Sequence, residues 1–229
     1  DGTLHAPHFF HDGGWDGYGA MQAHPMIHIW NMSMAEEDEA RVERQRNQRD
    51  ESWRRIRSHF SKHGAGQESH WVAYLQGHYP DYPLDILRPN HAQVHQRLAF
   101  MREVQQDPAT YGDWYLQVRN PISTEGLLQL TMGGPLCMYN GGLLQARLRY
   151  FDPQRRRPGL PPDVAALVET LADSRVVVRL VNLSATEDRQ VLLQAGVFGE
   201  HRFTCARYQR RRAISADEAG VGHTHEAEY

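Results

Sequence analysis

The chain has 229 residues, enough for one large domain or two small ones, with an ordinary 40% hydrophobic and 23% charged content. A formal net charge of −3 gives no global case for nucleic-acid binding, and no run of about 18 apolar residues exists to span a membrane. Two cysteines, Cys137 and Cys205, stand far apart with no CxxC pattern, which argues against a thiolate zinc site and leaves a single disulfide open. Fourteen histidines are many for this length, and imidazoles titrate near neutrality and ligate metals.

The opening stretch His8-Phe9-Phe10-His11-Asp12-Gly13-Gly14-Trp15-Asp16-Gly17-Tyr18-Gly19 concentrates imidazoles, carboxylates, flat rings and glycines. Glycine is costly in a helix interior, and the stretch lacks the period-2 alternation of a half-buried strand. It therefore reads as a functional loop, with Asp12, Asp16 and His11 as candidate acid–base groups and Trp15 and Tyr18 as candidate stacking surfaces. A short helix follows around His24–Met32, placing His24 and His28 on one face.

Residues 35–62 carry the longest helical signal. Glu36, Glu37, Asp38 and Glu39 lead and Arg54, Arg55, Arg57 and Lys62 close, the order that complements a helix dipole. Trp53, Ile56 and Phe60 mark the apolar face, so packing is expected to hold the second half and to leave the first half solvated. A helix across Glu68–Gln76 ends at Gly77 and two prolines, with Trp71, Tyr74 and Leu75 packing. The Tyr79-Pro80-Asp81-Tyr82-Pro83 run then reads as a rigid turn. Asn90 suits an N-cap with Gln93 completing a capping box, which predicts a helix over 91–106.

Residues 107–160 are less regular, with Tyr111-Gly112-Asp113-Trp114-Tyr115 repeating the chemistry of the opening loop. Glu125–Met132 reads as a short helix or strand, and alternation over Leu143–Phe151 as a strand. Arg155-Arg156-Arg157 is a basic run, a weak anion signal. Pro161-Pro162 predicts a helix start, with Val164, Leu167, Val168 and Leu171 on one face. Val176–Leu183 and Arg189–Ala195 then read as a hairpin, and Arg202–Tyr208 as a third strand. The expected class is α+β: a helical and loop-rich region over 1–174, an antiparallel β unit over 175–210, and a disordered tail over 211–229.

Three segments together with the strands from Val176 to Tyr208 carry a resemblance: His11-Asp12-Gly13-Gly14-Trp15-Asp16-Gly17-Tyr18, Glu68-Ser69-His70-Trp71 and Tyr111-Gly112-Asp113-Trp114. Helices with aromatic and acidic loops ahead of a small β unit resemble the closing portion of (α/α)-toroid carbohydrate-active proteins, which carry a trailing β-sandwich. The chain holds too few helical hairpins to close such a toroid. The resemblance thus implies a missing N-terminal portion or a second chain, as do the abrupt ends at Asp1 and Tyr229. It also implies a glycoside hydrolase or polysaccharide lyase. Hydrolysis needs two carboxylates about 5.5 Å apart for retention, or about 6.5–9.5 Å for inversion. Asp12 and Asp16, with Glu68 or Asp113 from another element, are the candidates. A lyase would use a base such as His11 or Tyr18 and a cation such as Arg119 to neutralise a substrate carboxylate. Trp15, Tyr18, His70, Trp71, Trp114 and Arg119 form the expected substrate-binding set. The expected partner is a glycan or another polar small molecule, with no nucleic acid, no membrane, no cofactor and no metal assigned.

Two other function classes stay open. A metal-dependent enzyme would gather three of His5, His8, His11, His24, His28 and Asp12 around one ion. A non-enzymatic binding module would present its aromatics as an exposed apolar interface.

Overall fold

The computed structural model describes residues 5–11, 14–20, 23–49, 68–112, 125–135, 145–210 and 223–228. The chain is α+β, with N-terminal helices followed by small antiparallel sheets. Among the described residues the helices form no toroid.

The glycine-rich opening is an antiparallel hairpin rather than a loop. Strand β1 (His5–His11) pairs with β2 (Gly14–Ala20) in register from His5 opposite Ala20 to His11 opposite Gly14. Cross-strand pairing satisfies the backbone without requiring alternation of side chains, and aromatic residues favour strands. The missed signal was Asp12-Gly13, a dipeptide favoured as a two-residue hairpin connection.

Helix α1 (Ala23–Ser33) buries Ile27, Trp30 and Asn31, the i, i+3, i+4 spacing of one face. Met34, at φ 52°, ends it in the left-handed region, its N–H donating to the Trp30 carbonyl at 2.7 Å. Helix α2 (Glu36–Arg49) has four carboxylates in its first turn, as the dipole prefers. Its first half is packed rather than solvated: Val42 joins the core against α1, and Asp38 and Gln45 are buried beside it. Asp38 accepts from Ser33 Oγ at 2.6 Å and pairs with Arg41, so its buried carboxylate is compensated. The expected apolar face at Trp53, Ile56 and Phe60 lies outside the described residues.

Helix α3 (Glu68–Leu75) matches its predicted span closely. Glu68, His70, Trp71, Val72 and Ala73 are all buried, so elements cover it on more than one side. Gly77, at φ 77°, takes the left-handed conformation after it, and the His78 N–H closes back on the Ala73 carbonyl at 2.7 Å.

Helix α4 (Tyr82–Glu103) starts well before Asn90. Pro83 occupies its first turn, where a missing N–H costs nothing, and Tyr82 and Ile86 are buried. Asn90 is not a cap. It lies inside the helix, with its side-chain amide donating to the Ile86 carbonyl at 2.7 Å. Pro89 also lies inside, and the burial of Tyr82, Ile86 and Asn90 around it offsets its lost backbone bond. Helix α5 runs over Glu125–Leu127 and continues as a wider-wound segment over Leu128–Met132, ending at left-handed Gly133. Gly126 meets α4 directly: a Cβ there would lie 2.8 Å from Ile86 Cγ1 and 2.9 Å from Asn90 Nδ2.

The strands β3 (Leu148–Asp152), β4 (Arg157–Pro158), β5 (Val164–Ala172), β6 (Arg175–Asn182), β7 (Leu192–Ala195), β8 (Cys205–Arg210) and β9 (His223–Glu228) are all paired antiparallel. Three expectations change here. The stripe Val164, Leu167, Val168, Leu171 belongs to a strand, because its two faces are both covered: Val168 packs with Leu148 and Tyr150, while Leu167 packs on the helical core. The expected hairpin of residues 176–183 with 189–195 does not form, since β6 pairs with β5 and β7 with β3. Residues 223–228, expected as disordered tail, pair with β8.

Two cores result. The helical one centres on Ile27, Trp30, Val42, Trp71, Tyr82, Ile86 and Leu130, and the strand one on Leu148, Tyr150 and Val168. Leu171 packs on both, and Tyr74 on α3 donates to the Val168 carbonyl on β5 at 3.3 Å. No helix among the described residues is long and apolar enough to cross a membrane.

Candidate functional site

Sequence reasoning singled out Glu68, His70 and Trp71, and the structure places all three in the buried first turn of α3. Glu68 is its first residue and is only 2% exposed. Burial penalises the charged form and raises its carboxyl from 4.5 to about 7, while a bond to its own backbone N–H opposes the shift. Among the described residues no basic side chain pairs with it, and Glu68 Oε1 has no hydrogen-bond partner. The carboxyl can thus hold or release a proton near neutrality.

Trp71 has no exposed surface, so it is a core ring and not a stacking platform. Its indole meets Trp30 on α1 edge-on, with centroids 6.5 Å apart at 61°. The Trp71 Nε1 and both side-chain amide atoms of Asn31 are buried with no hydrogen-bond partner among the described residues. Each such group costs on the order of 1–3 kcal/mol when left unmade.

Arg147 closes the end of α1. Its guanidinium donates to the Asn31 carbonyl, one of the last carbonyls of the helix, where a cation also suits the dipole. Desolvation lowers its pKa, opposed by the charges of Asp173 and Glu200. Its backbone ties the same point to the strands: Arg147 N–H donates to the Met132 carbonyl, and Gly196 N–H donates to the Arg147 carbonyl, each at 2.8 Å.

On the other side of α3 lies an aromatic cluster. The His70 ring sits 6.3 Å from Tyr79, and Tyr79 and Tyr82 are edge-on at 5.8 Å. Tyr79 donates to Asp85 at 2.8 Å, and burial together with that carboxylate pushes its phenol up to about 12. Tyr82 donates to Gln129 Oε1, and Gln129 Nε2 donates to the Pro135 carbonyl at 2.8 Å. This chain is not legible in the sequence, although the Tyr79-Pro80-Asp81-Tyr82-Pro83 run that supplies two of its rings reads there as a rigid turn.

The profile of a family described as Domain of unknown function (DUF8034) matches residues 1–128. The chain belongs to this family. No curated protein and no solved structure matches the chain. The DUF8034 portion holds β1–β2, α1–α4 and the start of α5, and with them Asn31, Glu68, His70 and Trp71. The strands β3–β9 and Arg147 lie beyond it.

The remaining candidates are spread more widely. His11 ends β1, while Trp15, Asp16 and Tyr18 lie in β2, with Asp16 opposite Phe9 and Tyr18 opposite Pro7. Asp12, Asp113, Trp114 and Arg119 lie outside the described residues, as does Cys137. Cys205 is exposed and is not in a disulfide. Among the described residues no group of three His, Cys, Asp or Glu side chains could hold a metal ion. His91 and His95 on α4 are exposed, with Nε2 atoms 3.1 Å apart. Their four-residue spacing on a helix was the readable signal.

Proposed function

We propose that this DUF8034 protein acts on carbohydrate, with Glu68 as the group that gives up a proton. The observation carrying this reading is the Glu68 carboxyl, buried without a cationic partner among the described residues and protonated up to about pH 7. A glycoside hydrolase needs one carboxylic acid that stays protonated near neutrality to protonate the leaving oxygen, and a second that stays ionised. Asp16, Asp12 and Asp113 are the candidates for the second, and His11, Tyr18 and Arg119 are the corresponding groups for an eliminating enzyme. In either case substrate has to reach a carboxyl that is 2% exposed. Trp71 supports the site from the core, which leaves sugar stacking to Trp15, Tyr18 and Trp114.

The test is a polysaccharide panel assayed for reducing ends and for unsaturated uronates, comparing the intact chain with Glu68→Gln. Loss of about 10²-fold or more in rate, with the fold retained, supports Glu68 as general acid. An unchanged rate in the variant, or no cleavage of any glycan, overturns the reading.

A binding module is the second reading, favoured by exposed apolar side chains on and beside β6. Val177, Leu180, Val181 and Leu183 all reach solvent there, and among the described residues β6 has a strand neighbour only on its β5 side. Retention of this chain by an immobilised partner, lost on Val181→Lys but unaffected by Glu68→Gln, would favour it.

A further inference from the structure

The Arg155-Arg156-Arg157 run has a definite place in the fold that its sequence did not reveal. Arg155 and Arg156 lie in the tip between β3 and β4, and Arg157 opens β4 in register with Asp152. Asp152 is buried and organises the tip from below. Its Oδ1 accepts from the Arg155 backbone N–H at 3.1 Å, and its Oδ2 lies 3.7 Å from Arg157 Nε. Arg157 is further held by donating to the Leu160 carbonyl at 3.1 Å. The buried Asp152 carboxylate is thus engaged by the Arg155 amide and by the charge of Arg157. Arg155 and Arg156 are exposed, and among the described residues no carboxylate pairs with either.

Arg156 adopts φ 49°, a left-handed conformation that glycine or asparagine takes more readily. An arginine held there against its backbone preference is an observation separate from the charge run. The adjoining surface adds a third. Along β3 the side chains alternate between buried Leu148, Tyr150 and Asp152 and outward Arg149 and Phe151. The Arg149 guanidinium lies 4.9 Å above the Phe151 ring, and its Nη1 donates to the Val197 carbonyl at 3.0 Å. Phe151 stands opposite exposed Leu192 on one side and Pro158 on the other. A cationic–aromatic surface therefore runs along β3 toward the β3–β4 tip, where Arg155 and Arg156 have no carboxylate partner among the described residues.

We infer that this face, formed by Arg149, Phe151, Arg155, Arg156 and Leu192, binds an acidic polysaccharide. Pyranose rings lie along the Arg149–Phe151 stack, and ring carboxylates pair with Arg155 and Arg156. The planar guanidinium fork matches a carboxylate in bidentate fashion, which a lysine does not. Choosing a glycan among polyanions rests on the carbohydrate reading above. Basic residues outnumber acidic ones over 145–210, which suits a polyanion on this face although the whole chain totals −3, and the oligonucleotide in the titration separates a nucleic acid from a glycan.

The experiment is titration of the intact chain with polygalacturonate, with its fully methyl-esterified form, and with single-stranded oligothymidylate. The variants are Arg156→Gly and Arg155→Ser/Arg156→Gly. Glycine suits the left-handed position, so Arg156→Gly is expected to melt at the same temperature or higher. The expected result is salt-sensitive binding of polygalacturonate, weakened at least 10-fold in the double variant, with little binding of the ester or the oligonucleotide. Equal binding of the ester with no loss in the variants overturns the acidic site and leaves the carbohydrate reading standing. Preference for the oligonucleotide, lost in the variants, overturns it in favour of a nucleic-acid site. Absence of binding to all three overturns it as well, and Glu68-dependent cleavage of a neutral glycan then shows whether the carbohydrate reading survives.

Discussion

Trp30 and Trp71 meet edge to face across the α1–α3 seam, their centroids 6.5 Å apart at an interplanar angle of 61°. Neither ring reaches solvent to any useful extent, and both belong to the cluster that joins four of the helices. This contact does for the N-terminal helices what a shared core side chain does in any small domain: it removes a large apolar area from water on both partners at once.

Replacing Trp71 by Ala is expected to cost about 3–5 kcal/mol, the range for deleting a buried aromatic. Trp71→Phe should cost clearly less, because the indole N–H has no hydrogen-bond partner among the described residues and nothing polar is lost with it. Urea unfolding followed by far-ultraviolet circular dichroism measures both. Equal costs for the two variants would mean that the ring is not packed as described.

Glu68 makes stability depend on pH in a stated direction. Its folded carboxyl titrates at about 7 and its unfolded one near 4.5, so the folded chain binds the proton more tightly. The stability this represents is fully present below about pH 4.5 and is lost as pH rises through about 7. The shift corresponds to on the order of 3 kcal/mol. Glu68→Gln should flatten that decline and leave the protein more stable than wild type at alkaline pH. Urea midpoints on either side of the window measure it. Parallel pH profiles for wild type and variant would place the titrating group elsewhere.

Gly126 has no room for a side chain where α5 meets α4. Gly126→Ala gains up to about 1 kcal/mol of helix propensity but forces a Cβ to within 2.8 Å of Ile86 Cγ1 and 2.9 Å of Asn90 Nδ2. Overpacking of this kind costs about 1–3 kcal/mol, so a net loss is expected. Ile86→Ala should relieve part of it, which a double-mutant cycle by thermal melting detects as a coupling between the two sites.

Arg147 is expected to matter through its guanidinium and not its stem. Arg147→Met keeps the stem and removes the donation to the Asn31 carbonyl, for a loss of about 1–3 kcal/mol. Hydrogen exchange should then rise first at the last turn of α1. Uniform loosening across all helices would show that Arg147 does not act as a local cap.

Several helices were legible before the structure. Glu36–Glu39 announced the start of α2, and Gly77 marked the end of α3, because dipole and glycine effects act within one turn. The candidate site was legible only in part. Glu68, His70 and Trp71 stand out together in the sequence as a candidate acid with candidate sugar-binding neighbours, which says nothing of how deeply they are buried. Their burial depends on α1, whose contacts with α3 no local pattern encodes. Asn31 and Arg147 could not be grouped with them, since 116 positions separate the two in sequence.

By itself, the order of residues determined the α+β class, the spans of α3 and β6, and the acidic opening of α2, all of which follow from interactions between residues a few positions apart. Only the tertiary structure decided that Val164–Ala172 is a strand and that β6 pairs with β5 while β7 crosses to β3. It alone made Glu68 a carboxyl that keeps its proton. An i, i+3, i+4, i+7 stripe fits a helix facing one core and also a strand lying between two. Which of the two forms, and what a carboxyl's proton affinity becomes, depends on what distant parts of the chain place on either side.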